Sequence, residues 1–225
     1  MGGYKYHRST AAGDLPMEFV IGLFAPDLLK KWYKTIGIDE TFQKYESICV
    51  GDMPDFKELA ERIQQEEVHG KPYGTHYGKS SSPDIMAFWN GLTVKQRNTA
   101  FCRGYAWHLL GDIVMYKRID IDVKFAAFQK ANEGREDIEE LKAMEKKKLH
   151  SDWDKTNTLI DNTYPDTNLP DWIMELGVVN YLPAGEMAYV DWNALKGAID
   201  YMRSFDPVNG DMTKIIETIL KEVSE

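Results

Sequence analysis

Two cysteines, Cys49 and Cys102, are the only thiols in the chain. They form no C-x-x-C pair, which excludes a disulfide framework and a thiolate metal site. Any bound metal must therefore rest on histidines and carboxylates. Long apolar runs are also lacking, and nothing approaches the roughly 20 residues that span a bilayer. The opening MGGYKYHRSTAAGDLP has no apolar signal-peptide core, so a cytoplasmic location is expected. Positive charge is in deficit: 27 Lys and Arg against 36 Asp and Glu give a net charge of −9. That balance argues against duplex DNA or any long phosphate backbone as a partner. Bound divalent cations would still make one cleft locally positive. Strand signals are nearly missing, apart from Glu186-Met187-Ala188-Tyr189-Val190, which is too short to found a sheet.

What remains is helical. With 43% hydrophobic and 28% charged residues, the 225-residue chain suits one globular domain spanning 1–225. The expected fold is all-α, a multi-helix bundle around a central buried helix at about 101–118, FCRGYAWHLLGDIVMYKR. Phe101, Tyr105, His108, Asp112, Met115 and Ile119 lie on one helical stripe by their spacing. Ala106, Leu110, Ile113 and Val114 make the opposite face apolar too, so the helix is predicted to be buried on most sides. His108 and Asp112 are then one turn apart on the same face. A carboxylate there is costly unless a charge or a metal compensates it. H-x-x-x-D at this spacing presents two ligands to one divalent cation, and it equally suits a buried hydrogen-bonded pair.

Around this helix the punctuation predicts the other elements. Pro26 disfavours helical geometry at Ala25, which predicts a break there and a new helix from Leu28 to about Thr35, N-capped by Asp27. A charged amphipathic helix is predicted over Asp55–His69, with His69 at its C-terminal end. Gly70 to Pro83 holds three Gly and two Pro and predicts a loop without regular structure, anchored by His76. Asp84–Trp89 reads as a short helix, and Thr93 as the cap of the central one. After Ile119 the chain is expected to stay helical until Gly134. Helices follow over Glu136–Ile160, Asp191–Phe205 and Asp211–Val223, with a loop from Tyr164 to Pro183. The run Glu145-Lys146-Lys147-Lys148 reads as a solvated face.

Histidine is scarce: His7, His69, His76, His108 and His150 are the full set. His7, Asp27, His76 and the His108/Asp112 pair lie in separate elements, at buried, loop-anchoring or helix-breaking positions. Three imidazoles, two carboxylates and no thiolate suit a hydrolytic zinc centre, which needs about three protein ligands and an open position. His150 and Asp154 repeat the i, i+4 spacing, but roughly 80° or more off the Leu149, Trp153, Ile160 stripe at about 100° per residue. They either border a cleft or face water.

The ordered set His7, Gly22-Leu23-Phe24-Ala25-Pro26-Asp27, Thr75-His76-Tyr77-Gly78 and Gly104-Tyr105-Ala106-Trp107-His108-Leu109-Leu110-Gly111-Asp112 resembles the zinc-dependent phospholipase C family. That family shares its helical fold with the single-strand-specific fungal nucleases. The resemblance covers roughly the first half of the chain and is strongest over 104–112. It implies that Asp27, His76, His108 and Asp112 are metal ligands, that Asp112 bridges two ions, and that His7 binds the second. It also implies a general-base or water-orienting role for Asp27. The secreted phospholipases use a free N-terminal Trp amine, where this chain has Met1-Gly2-Gly3. They also carry an H-x-x-x-E helix, for which only His150 and Asp154 stand in. One or two zinc ions are therefore expected, rather than a complete three-metal cluster.

The implied activity is hydrolysis of a phosphoester: a phospholipid headgroup, a nucleotide or another small phosphodiester. Two rival readings stand beside it. One is a non-enzymatic helical protein with a structural zinc, and the other is a metal-free binding module in which His108 and Asp112 simply pair.

Overall fold

The structure is a computed structural model that describes residues 3–34 and 75–224, without the side chains of 29–34. The helix expected at 55–69, together with His69 and Cys49, lies outside the described residues. Within them the protein is all-α, with ten helices and a single two-stranded hairpin. None of the described helices is long and apolar enough to cross a membrane.

The central helix, α5 (Ala100–Arg118), follows α1 (Tyr4–Ser9), α2 (Met17–Lys34), strands β1 (Gly78–Lys79) and β2 (Ser82–Pro83), α3 (Ile85–Gly91) and α4 (Val94–Arg97). The expected stripe is buried throughout, and Ala106, Leu110 and Val114 on the other face are fully covered. The helix is capped by Thr99, whose hydroxyl accepts the Cys102 amide. Thr93 instead caps α4, through a reciprocal capping box with Gln96. The two threonines are six apart, and Asn98 interposes a turn between them that periodicity alone does not reveal.

α2 lies along α5, and the two backbones touch. A β-carbon at Gly22 would fall 2.0 Å from the Phe101 carbonyl oxygen, and one at Gly104 would fall 2.1 Å from the Phe19 carbonyl oxygen. Each glycine is thus the slot for the other helix. This packing also explains why the break expected at Pro26 does not occur. α2 runs unbroken from Met17 to Lys34 with Pro26 inside it, although an internal proline costs about 3 kcal/mol. Phe19, Leu23, Phe24, Ala25 and Leu28, all at 1% exposure or less, bury enough surface to outweigh that cost. Asp27 is consequently an interior residue of α2 and not an N-cap.

The chain after α5 does not stay continuously helical. Ile119 is extended and a separate α6 runs from Ile121 to Ala131. Gly134, with φ +82°, turns the chain into α7 (Ile138–Thr163). The expected loop from Tyr164 contains a short α8 (Asp171–Glu175). α9 (Trp192–Arg203) and α10 (Met212–Ser224) bury their apolar stripes against α5. The Glu186–Val190 segment is not a strand. It is held by the buried Asp152 carboxylate, which accepts the amides of Tyr189 at 2.6 Å and Val190 at 3.3 Å.

α1, unforeseen in the sequence, is buried along its whole length. Its Lys5 ammonium donates to the Thr167 carbonyl at 2.8 Å and pairs with Asp161. The Arg8 guanidinium donates to the carbonyls of Ala11, Gly13 and Asp166. Those bonds satisfy two cations that would otherwise be too costly to bury.

Candidate metal centre

Four elements deliver side chains to one point. α5 supplies His108 and Asp112, α2 supplies Asp27, α1 supplies His7, and the turn before β1 supplies His76. The backbone contact at Gly22 and Gly104 brings the Leu23 carbonyl within 2.8 Å of His108 Nδ1. A carbonyl only accepts, so Nδ1 carries the proton and Nε2 presents a lone pair. The sequence signal for this arrangement was half visible, in H-x-x-x-D, while the carbonyl that fixes the tautomer belongs to another helix.

His76 is aimed by its neighbours. Thr75 Oγ1 lies 3.1 Å from its Nδ1, and the Thr75 carbonyl accepts the Tyr105 hydroxyl. Tyr77 has φ +51°, a left-handed conformation uncommon for a bulky residue, and is buried against Phe88, which stacks on Tyr105. Gly78 and Lys79 pair with Pro83 and Ser82 in a minimal hairpin. The described part of the stretch expected to lack regular structure therefore contains this hairpin, and His76 is anchored as expected.

His7 slips between two glycines. A β-carbon on Gly3 would sit 2.9 Å from its Nε2, and one on Gly111 would sit 3.2 Å from its Nδ1. Its ring stacks on that of His108 with centroids 3.7 Å apart. The Tyr6 hydroxyl donates to the Gly111 carbonyl at 2.8 Å and fixes α1 against α5.

The ligand atoms have the spacing of a coordination polyhedron. His76 Nε2 lies 3.2 Å from His108 Nε2 and 3.5 Å from both Asp27 Oδ1 and Asp112 Oδ2. His108 Nε2 is 3.6 Å from Asp112 Oδ2. Zinc–ligand bonds of about 2.0–2.1 Å put the corners of a tetrahedron about 3.3 Å apart. On the far side of the same carboxylate, Asp112 Oδ1 is 3.5 Å from His7 Nε2. Two overlapping triads result, His7/His108/Asp112 and Asp27/His76/His108. One imidazole nitrogen binds one ion, so His108 completes only one of them at a time. Without a cation, the His76 Nε2 proton is shared between the His108 lone pair at 3.2 Å and Asp27 Oδ1 at 3.5 Å.

Burial sets the charge states. It pushes His7 down to about 4 and His108 down to about 3, with the neighbouring histidines adding to the effect. Both imidazoles are therefore neutral near pH 7, as metal ligands must be. For Asp27, burial favours the acid form, but the His76 hydrogen bond and the surrounding imidazoles more than offset it and hold the carboxyl well below its usual range.

A cavity of about 110 Å³ adjoins these residues. Gly3, His7, Asp27, Asp112 and Ser80 line its polar side. Met115, Tyr116, Ile121, Leu149 and Trp153 complete its lining. Among the described residues no Lys or Arg lines it. Tyr116 was not singled out from the sequence, although it continues the His108, Asp112 spacing by one more turn. Ser80, at the hairpin tip, has no such signal.

His150 and Asp154 are not brought to this point. His150 is exposed and Asp154 half-buried, and neither belongs to a group of potential ligands among the described residues. Their neighbours Leu149 and Trp153 face the cavity instead, as expected from the helical angle. Arg103 likewise points away, donating to the carbonyls of Pro207 and Gly210. Comparison with known protein families, characterised proteins and solved structures yields no match for this chain.

Proposed function

We propose that the protein is a zinc-dependent phosphoesterase acting on small phosphodiesters, free or as a phospholipid headgroup, rather than on duplex nucleic acid. The observation that carries this reading is the convergence of His76 Nε2 and His108 Nε2 at 3.2 Å, with two carboxylates beside them, at the edge of a cavity. A structural zinc site closes its coordination shell, whereas a hydrolytic one keeps a position for water. The adjoining cavity supports the second case. The ordered motifs shared with the zinc-dependent phospholipases C support it as well. A cytoplasmic location belongs to the same reading, since a chain with two cysteines and no C-x-x-C pair carries no disulfide framework.

Bound here, zinc supplies a water whose pKa falls from about 15.7 to about 7 and a Lewis-acid contact for a phosphoryl oxygen. The chain's own residues do the rest. His76, His108, Asp27 and Asp112 would hold the first ion, and His7 with Asp112 would hold a second. The Leu23 carbonyl keeps the His108 lone pair turned inward. Asp27 Oδ2 lies on the Gly3 side, where Asp27 lines the cavity, and it would orient the attacking water. A phosphodiester carries one charge, while a monoester carries about −1.5 to −2 near pH 7. Among the described residues no Lys or Arg lines the cavity, so a monoester's extra charge would rest on the metal alone, which favours the diester.

Metal analysis of protein purified without chelator tests this reading, with one to two equivalents of zinc expected. Hydrolysis of bis(p-nitrophenyl) phosphate should disappear on chelation and return with zinc. Zinc-free protein, or zinc-loaded protein inert toward every phosphoester offered, overturns it.

A further inference from the structure

α7 is 26 residues long, and only its second half is packed into the core. Asp152, Trp153, Thr156, Asn157 and Ile160 are buried, whereas none of the residues 138–151 is. At about 100° per residue, Glu140, Met144 and Lys147 lie within about 60° of one another, on the side opposite Leu149, Thr156 and Ile160. Glu140, Ala143 and Lys147 are exposed, and Met144 between them is 50% exposed. α6 does not cover this stripe. Its Ala126, Gln129 and Lys130 share a depression with Ile138 and Lys142, on the other side of α7.

Charge along this arm is sorted by sign. Glu136, Asp137, Glu139 and Glu140 precede Ala143, and Lys146, Lys147 and Lys148 follow Met144. Several of these charges are satisfied locally. Arg135 pairs with Asp137 at 2.7 Å, Lys142 with Glu139 at 2.7 Å and Lys148 with Glu145 at 2.5 Å. Glu140 and Lys147, the two on the exposed stripe, have no ion-pair partner among the described residues. They are seven residues apart, about 10.5 Å along the helix, and so cannot meet within one copy. A stripe with an acid at one end, a base at the other and an apolar centre is complementary to itself when a second copy runs antiparallel.

We propose that the outward stripe of α7, Glu140, Ala143, Met144 and Lys147, is a self-association surface on which a second copy of this chain docks antiparallel, about a twofold axis between Ala143 and Met144. Each Glu140 then faces Lys147 of the other copy, both about 5 Å along the helix from the axis. Ala143 lets the two helices approach, and the flexible Met144 side chains fill the centre. Glu136 falls opposite Ser151, beside an open depression lined by Lys147, Lys148 and Lys155. The depression is not by itself an anion site, since Lys148 is held by Glu145 and Lys155 donates to the Glu186 carbonyl at 2.6 Å. Lys147 is left to meet the acids of a second copy. One helix face is a small contact, so the dimer is in exchange with monomer. The proposal is independent of the metal centre, which lies on the inward side of α7.

Sedimentation velocity of the full chain, over a concentration series at low ionic strength, tests the surface. The unaltered protein is expected to pass from monomer to dimer as concentration rises. Glu140→Lys and Lys147→Glu each turn both facing pairs into like charges, and each should weaken dimerisation at least about tenfold. The double variant, Glu140→Lys with Lys147→Glu, restores opposite signs in exchanged order and should dimerise as the unaltered protein does. An equimolar mixture of the two single variants should form a heterodimer at concentrations where neither dimerises alone, because every facing pair is then opposite in sign. All these positions are exposed, so the substitutions leave the core intact. A chain that stays monomeric at every concentration overturns the proposal. So do single variants that dimerise like the unaltered protein, or a mixture that remains monomeric.

Discussion

On α5, His108 and Asp112 are one turn apart at 0% and 4% exposure, and a carbonyl from α2 holds the His108 tautomer. On α7, His150 and Asp154 have the same spacing, yet His150 is exposed and no other potential ligand group joins them among the described residues. The spacing sets only which side chains share a helical face. The environment decides what that face can do: an adjacent acceptor to fix the proton, burial to keep the imidazole neutral, and further ligands from other elements. α5 has all three because α2 approaches it at backbone contact, through Gly22 and Gly104. α7 turns Leu149 and Trp153 inward and its H-x-x-x-D pair toward the rim.

The comparison is broken most severely by removing ligands from α5. His108→Ala and Asp112→Asn are each expected to lower zinc affinity by at least about 100-fold, since even loss of a supporting contact costs 10–100-fold. Inductively coupled plasma analysis after dialysis reads this directly. Unchanged zinc content in both variants would show that α5 is no metal helix and that its pair is a buried hydrogen bond.

Next in size is the helix contact itself. Gly104→Ala forces a methyl to within 2.1 Å of the Phe19 carbonyl oxygen, so α2 and α5 must separate. A loss of about 3 kcal/mol or more is expected, at the upper end of overpacking costs, because the obstacle is backbone. Zinc affinity should fall with it, since Leu23 and Asp27 move away from His108. Gly197→Ala on α9 is the control. The nearest atom to its β-carbon is Arg118 Nη1 at 3.7 Å, and a helical Gly→Ala change should be neutral or stabilising by up to about 1 kcal/mol. Chemical denaturation of the two variants side by side separates them, and equal stabilities would refute the backbone-contact account.

How much of this was readable beforehand follows from the same physics. The buried stripe of α5 with His108 and Asp112 came from spacing, and His7 and His76 from scarcity; Asp27 was singled out by a helix break that does not occur and by the family resemblance, and the structure brings the five together. The course of α2 through Pro26 was not readable, because the proline rule is local and the packing that overrides it is tertiary. Nor was the role of Gly22 and Gly104, whose meaning lies in the helix opposite. Thr93 and Thr99 both look like caps, and only the intervening turn tells which helix each one starts. α1 is six residues long and carries no periodic signal, and its burial depends on acceptors at Asp161, Asp166 and Thr167 far along the chain.

Acid should expose the α5 cluster as well. In chelated protein the folded pKa values of His7 and His108, about 4 and about 3, lie below the ordinary 6.5. The unfolded chain then binds more protons, so stability is fully present above about pH 6.5 and is lost as pH falls toward 4 and 3. Each histidine contributes a slope of up to about 1.4 kcal/mol per pH unit in that window. Thermal melts from pH 7 to pH 4 in chelator should fall steeply. The same series on a His7→Gln, His108→Gln variant should be flatter, and parallel curves would remove the histidines as the cause. Zinc-loaded protein should release its metal over the acid part of the range, because protons compete for the same nitrogens.

The smallest effect is expected on α7. His150→Ala and Asp154→Ala remove an exposed and a half-buried group at the rim of α7, so each should change stability by no more than about 0.5 kcal/mol. Zinc held through His76 and His108 should stay in place, and bis(p-nitrophenyl) phosphate turnover should stay close to that of the unaltered protein. The informative contrast is with Trp153→Ala in the same turn, which removes a buried ring and should cost about 3 kcal/mol or more in stability. If His150→Ala instead loses one equivalent of zinc, α7 rotates its pair inward when metal is present, and the H-x-x-x-D spacing would then be a sufficient signal on both helices. If it loses nothing, the two pairs differ by environment alone, and the glycine contact between α2 and α5 is what makes one of them a site.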